Sequence, residues 1–417
     1  MAIKLSKPRS VGMCAARLER IDTVMQEQVD QGTLAGVSTL VARRGKVVHF
    51  KQFGMRDRET NLPMQADTIV RMYSMTKPIV CTAFMTLYEQ GKVDLFDPVS
   101  KFIPAFKNLN VLESSDDGSE RLVDLKRPMT IQHLLTHTSG LVYDFFEDSP
   151  VCQLYRDKKV CADLSVSAAE FVAKLSELPL AFQPGERWFY GVNTDVLGHV
   201  IEIISGQSLA EFLQTTILSP LSMHDTAYCQ PADKLSRVAA IYGSGNICEE
   251  DVSWSDLVGA WEQHKNIRLD LDSGAHPVDD PSFQWGGLGL SSTMEDYYRF
   301  TQMLLNGGEL GGQRVLSPKT VELMHLNHLP QKLLPMMLGG QPLSGYGFGL
   351  GSRVMLDVAA SGVAGSVGEF GWGGAAKTYY WIDPKEELIG IFLTQSMGNF
   401  SLIQRTFQAL VYQAMIG

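Results

Sequence analysis

The period of the hydrophobic pattern changes twice along the chain, and this restricts the fold more than any other feature. Two β-rich runs, Gly36 to Ala42 and Lys46 to Phe50, lie near the start, with Arg44-Gly45 between them as a hairpin turn. From about residue 95 to 330 the sequence is punctuated by Pro and Gly and takes the spacing of helices joined by loops, as at Ile131 to Leu135, Ala168 to Leu175, Thr194 to Ser205 and Met294 to Leu305. A period of two then returns at Tyr346 to Met355, Trp372 to Ile382 and Leu388 to Thr394. Helices are expected over about 15–31 and 402–415. Strands at both ends with helices between predict an α/β (α+β) fold. Its antiparallel sheet is built from the N- and C-terminal segments and flanked by helices, and a mostly helical domain is inserted. The expected boundaries are 1–95 with 330–417 for the discontinuous sheet domain, and 96–329 for the helical domain. A site is expected where the two meet.

Composition removes several classes of function. With 45% hydrophobic and 20% charged residues in 417, the chain can bury a core and is not disordered. Its 36 basic and 46 acidic side chains give a net charge of −10, which argues against a nucleic-acid partner. No heptads or short repeats point to a coiled coil or solenoid. No run approaches the roughly 18 apolar residues of a membrane span. The first ten residues lack the apolar core of a secretory signal, so the expected location is cytoplasmic. The six cysteines form no Cys-x-x-Cys pair and are expected as reduced, packed thiols, a Cys152–Cys161 bridge being the minor alternative. His133 and His137 are four apart, but Leu134 stands where a zinc protease has Glu, so no metal is expected, and no cofactor. His325 and His328 are expected on a surface helix, and 113–118 in a surface loop. No Gly-x-Ser-x-Gly elbow and no Walker loop occur.

Three segments carry chemistry. Ser74-Met75-Thr76-Lys77 is the sole Ser-x-x-Lys, at the entrance of a helix from Pro78 to Gln90 that is apolar on most of its circumference. Residues three apart on a helical turn share a face, so the amine reaches the hydroxyl. A serine hydroxyl needs such a base to become a nucleophile. Alone, the pattern is more often a cap and a surface lysine. Trp188-Phe189-Tyr190-Gly191 leads into another helix, and a tyrosine there serves as a base where cations favour its phenolate. Gly368 to Ala375 holds four glycines among eight residues, which permits close approach of a ligand to the backbone. The aromatic stretch Tyr143-Asp144-Phe145-Phe146-Glu147-Asp148 is either a wall of the substrate cleft or a solvated loop.

In that order Ser74-x-x-Lys77, Tyr190 and Trp372-Gly373-Gly374 resemble the three motifs of the serine β-lactamase and penicillin-binding-protein superfamily. The variant is similar to the class C β-lactamase-like carboxylesterases of family eight, in which Trp-Gly-Gly stands for Lys-Thr-Gly. Thr130 to Leu141, Ile217 to Met223 and Gly286 to Thr293 extend the likeness over about residues 15–415. The resemblance implies a β-lactamase/transpeptidase-like fold. It implies Ser74 as nucleophile, Lys77 and Tyr190 as the base pair, and the N–H groups of Ser74 and Ala375 as the oxyanion hole. Trp372, Gly373, Gly374 and Phe145 would line the substrate site. Val192 occupies the usual Asn position of the second motif, with Asn193 one later. Lys377-Thr378 does not replace the missing lysine if 372–382 is one strand, because residues five apart point to opposite faces. Without that cation a lactam carboxylate loses its partner, which favours esters. The expected function is hydrolysis of small-molecule esters with short to medium acyl chains through an acyl-enzyme on Ser74, with weak β-lactam cleavage. A β-lactamase or D-amino-acid peptidase is the enzymatic alternative, and a non-catalytic ligand binder or scaffold the other. Oligomeric state is left open.

Overall fold

The computed structural model describes residues 3–114, 119–146, 149–161, 163, 165–245, 259–262, 266–270, 277–280, 282 and 284–417. The expected loop at 113–118 divides: Glu113 and Ser114 end a strand, Asn110–Ser114, paired with Glu120–Asp124. Residues 115–118, 147 and 148, Cys248, His264 and His276 lie outside the described residues.

We number the strands of the main sheet β1 (Gly36–Arg43), β2 (Lys46–Asp57), β3 (Leu62–Pro63), β4 (Tyr346–Phe348), β5 (Arg353–Met355), β6 (Phe370–Gly373), β7 (Tyr379–Asp383) and β8 (Leu388–Thr394). Their spatial order is β4-β5-β6-β7-β8-β1-β2-β3. All the pairings are antiparallel. The two ends of the chain join at β1 and β8, in register from Val37 opposite Thr394 to Arg43 opposite Leu388. The framing helices are α1 (Ala15–Asp30), α2 (Thr76–Glu89), α3 (Asn193–Ser205), α4 (Met294–Leu305) and α5 (Ile403–Tyr412).

Helices cover both faces of the sheet, so its central strands are buried along their whole length. Val37, Val41, Trp381, Leu388 and Phe392 pack against Leu18, Ile21 and Met25 of α1 and against Ile403, Phe407 and Val411 of α5. Their neighbours Leu40, Ala42, Tyr380, Ile389 and Ile391 point the other way, into a core with Ile79, Val80, Ala83 and Phe84 of α2 and Phe300 of α4. Every residue of α2 from Thr76 to Leu87 is buried, as a helix apolar on all sides requires. Gly390 faces Trp381 across β7 and β8. A Cβ there would meet the indole at 2.1 Å. Gly390→Ala is therefore expected to lower unfolding free energy by about 2–3 kcal/mol through overpacking, as read from urea denaturation.

Three expectations are corrected. Residues 372–382 are not one strand: β6 stops at Gly373 and β7 starts at Tyr379. Between them Lys377 N–H donates to Gly374 O at 2.9 Å, and Lys377 takes φ 62°, so the chain turns. Residues 346–355 likewise form two short strands, with Gly349 N–H bonded to Ser352 O at 2.8 Å between them. His325 and His328 are not on a surface helix. The helix Pro318–Met324 ends before them, and the His325 ring stacks on Phe370, where burial lowers its pKa to about 4. Among the described residues no single helix is long and apolar enough to cross a membrane.

Candidate active site

Ser74 lies in a 3₁₀ turn, Tyr73–Met75, that runs directly into α2. The turn is held from behind by Gly286 to Thr293, the last segment of the sequence likeness. Val70–Arg71 pairs with Ser291–Ser292, Met72 N–H donates to Leu290 O at 2.9 Å, and Leu290 N–H donates to Thr76 Oγ1 at 3.2 Å. From α4 the Tyr297 hydroxyl donates to Met75 O at 3.0 Å. Tyr73 adopts φ 47°, a left-handed conformation that costs an ordinary residue on the order of 1 kcal/mol.

Lys77 occupies the first turn of α2 and is 1% exposed. Its amine lies 3.2 Å from Ser74 Oγ, 3.0 Å from the Tyr143 hydroxyl and 2.7 Å from Gly287 O. The Gly287 N–H donates in turn to Asp195 Oδ1 at 2.7 Å, linking the amine to a buried carboxyl in the first turn of α3. Burial pushes that carboxyl up to about 6, against the pull of Lys77 and the Gly287 N–H.

Tyr190 reaches the site by its ring. The ring centroid is 4.8 Å from the Lys77 amine, while its hydroxyl accepts the Trp372 indole N–H at 3.0 Å. The phenol that hydrogen-bonds the amine belongs to Tyr143, a role sequence reasoning missed. The signal was its place at the head of the aromatic stretch, just after Ser139-Gly140. Tyr190 is fixed by His137, whose carbonyl accepts Phe189 N–H at 2.9 Å and whose Nδ1 accepts Gly191 N–H at 3.4 Å. The Asn193 side chain also meets that nitrogen, at 3.0 Å, and accepts the Ser139 hydroxyl. Asn193 is thus buried support for the tyrosine loop. It does not line the cleft. Burial, aided by the Lys77 charge, holds the His137 imidazole well below its usual pKa, so it accepts as a neutral ring. His133 accepts the Thr130 N–H at 3.1 Å and caps its own helix.

Ser74, Tyr143, Tyr190, Trp372, Gly373, Gly374 and Ala375 line one cavity of about 700 Å³. Ser74 N–H lies in the first turn of its 3₁₀ segment, where amides lack helical partners. Ala375 N–H follows the end of β6, so both are oriented by backbone structure. Gly374 makes the approach possible: a Cβ there would lie 2.2 Å from Thr378 Oγ1 and 2.4 Å from Met72 O. Phe145 stacks on Tyr143 with centroids 5.0 Å apart, and with Phe146, Trp285 and Leu288 it gives the cavity an apolar side. Lys377 lines the same cavity as Trp372, contrary to the expectation of opposite faces, because the chain turns between them. Its amine donates to Ser401 O at 2.6 Å.

The β-lactamase family model matches residues 21–413. Esterase EstB of Burkholderia gladioli is 31% identical over 402 residues, covering 93% of each chain. Monacolin J acid methylbutanoyltransferase of Aspergillus terreus is 28% identical over 424 residues, covering 94% of this chain and 95% of its own. The solved structure of EstCE1, described as a hydrolase with promiscuous acyltransferase activity, superposes with a TM-score of 0.76 at 25% identity, covering 96% of this chain and 99% of its own.

Proposed function

Because the chain belongs to the β-lactamase family, with a β-lactamase/transpeptidase-like fold and with esterase and acyltransferase relatives, we propose that it hydrolyses carboxylic esters of short to medium acyl chains through an acyl-enzyme on Ser74. The observation that carries this is the buried Lys77 amine 3.2 Å from the hydroxyl of Ser74, a residue that lines the cleft. Ser74 Oγ attacks the ester carbonyl as its proton passes to the amine–phenol group of Lys77, Tyr143 and Tyr190. The oxyanion rests on the N–H groups of Ser74 and Ala375. The proton returns to the departing alcohol, and water activated by the same groups then releases the acid. Trp372 holds Tyr190 through its indole and presents an apolar edge where a lactam carboxylate would need a cation.

The aromatic side of the cleft, from Phe145 to Trp285, favours an organic acceptor over water at the acyl-enzyme, which supports acyl transfer as a second reading. A reducing cytoplasmic setting fits the five described cysteines, none of which is in a disulfide. The test is to compare kcat/KM for p-nitrophenyl butyrate and nitrocefin. The ester is expected to lead by about a hundredfold, the scale of a missing charge-assisted contact. Nitrocefin turnover equal to or above that of the ester would instead make the chain a β-lactamase.

A further inference from the structure

The contacts of Lys77 are those of an ammonium. Its amine donates to Ser74 Oγ, the Tyr143 hydroxyl and Gly287 O, at 3.2, 3.0 and 2.7 Å. A group with three donors and no acceptor, all three engaged, has nothing left with which to take a proton. To serve as a base it must first give one up. Gly287 O only accepts, and the Ser74 hydroxyl is the group to be activated, so the exit is the Tyr143 phenol. That phenol accepts from the amine and keeps its own O–H to donate. Beside it stands Asp195, 4% exposed, in the first turn of α3. Its Oδ1 accepts the Gly287 N–H at 2.7 Å, while its Oδ2 is buried without a hydrogen-bond partner. The Tyr143 hydroxyl is near enough to this carboxyl to favour its anion. Gly287 makes the room: a Cβ there would lie 2.5 Å from Oδ2. The other titratable side chains that sense the Asp195 charge are Cys161 and Tyr228, whose ionisation burial opposes.

We propose that Asp195 is the proton acceptor that turns Lys77 into a base, acting through the Tyr143 phenol. The proposal rests on the esterase reading above. The Lys77 ammonium passes a proton to the Tyr143 oxygen as the phenol passes its own to Asp195 Oδ2. One N–H and one O–H bond break, two O–H bonds form, and the net charge of the group is unchanged. The neutral amine then takes the Ser74 proton as Oγ attacks, and delivers it to the departing alcohol. Asp195 keeps its proton through both halves of the cycle, so the amine is again free to activate water. Asp195 touches no reacting atom and is a positioning residue for the Lys77 proton. Burial pushes its carboxyl up to about 6, against the pull of Lys77, the cation that faces it from α2. A proton acceptor works best when its pKa lies near the operating pH.

The experiment measures kcat/KM for p-nitrophenyl butyrate from about pH 5 to pH 9 in the wild type, Asp195→Asn and Tyr143→Phe. Asparagine keeps the volume and the carbonyl that accepts the Gly287 N–H, but it cannot take up a proton. In the wild type the rate should fall as pH drops through about 6, where Asp195 is already protonated. In both variants Lys77 must lose its proton to solvent, so the acid limb moves up by about one pH unit or more, toward the range of a lysine amine. Each variant then loses about tenfold or more at pH 7 and recovers part of that loss by pH 9. A merely structural role would lower the rate by the same factor at every pH. A limb that stays in place in Asp195→Asn, or that moves there and not in Tyr143→Phe, overturns the relay. Should Asp195→Asn melt far below the wild type, the limb of Tyr143→Phe decides by the same criterion. A second arm follows the rate at which a fluorophosphonate labels Ser74 over the same pH range, with no ester present. Labelling whose acid limb shifts in both variants supports the relay even if no ester is turned over, in which case the esterase reading is what fails. Labelling unshifted in either variant overturns the relay even if esters are cleaved.

Discussion

Ser74→Ala is expected to lower turnover of p-nitrophenyl butyrate by about 10⁴-fold or more while leaving the protein folded. The size of the loss follows from the route: without Oγ there is no acyl-enzyme, and the oxyanion donors with binding alone sustain only a small remnant of catalysis. The tolerance follows from the local structure. The hydroxyl's hydrogen-bond partner is the Lys77 amine, and the 3₁₀ turn is held by backbone contacts to Leu290 and by Tyr297. Steady-state kinetics beside a thermal melt separate the two effects. A variant that melts like the wild type and keeps more than about a tenth of its rate would place the nucleophile elsewhere.

Lys77→Met is expected to lower kcat/KM by about 10³-fold, because general-base help is lost along with the group that orients Ser74 and Tyr143. Methionine fills much of the same volume, so a loss measured well below the melting temperature reports the amine rather than a cavity. The substitution also has a signature in stability. The Asp195 carboxyl is raised from 3.8 to about 6 in the folded protein. A carboxyl with a raised folded pKa contributes stability that is complete below its unfolded value and is lost as pH rises through its folded value. Lys77 opposes that rise, so without it the folded value climbs further and the loss extends to higher pH. The melting-temperature gap between wild type and Lys77→Met should therefore widen from pH 5 to pH 8. A gap that narrows over that range would mean that Asp195 does not sense the lysine.

Much of the fold was legible because its signals are local and periodic. The strands near both ends and the apolar circumference of α2 each follow from spacing, and antiparallel pairing of β1 with β8 joins the ends. The same method failed at 372–382, where a run of apolar and aromatic residues has the pattern of one strand. Two facts outside any pattern break it: the contact of Gly374 with Met72 and the left-handed backbone of Lys377. That error turned Lys377 away from a cleft it in fact lines. In the site, Ser74 and Lys77 were legible because one helical turn sets their distance. Tyr143 was not, since its meeting with the amine joins segments 66 residues apart, and its place at the head of the aromatic stretch does not single it out from its neighbours. Asp195 is further removed still, because it reaches the amine through the backbone of Gly287.

The central claim is that one hydroxyl, beside Lys77, becomes covalently bound during turnover. The direct measurement is intact-mass analysis after treatment with a fluorophosphonate, in which Oγ attacks phosphorus and fluoride leaves, followed by peptide mapping. A single adduct on the peptide containing Ser74, absent from Ser74→Ala, is the predicted result. An adduct on another residue, or equal labelling of the variant, would contradict it.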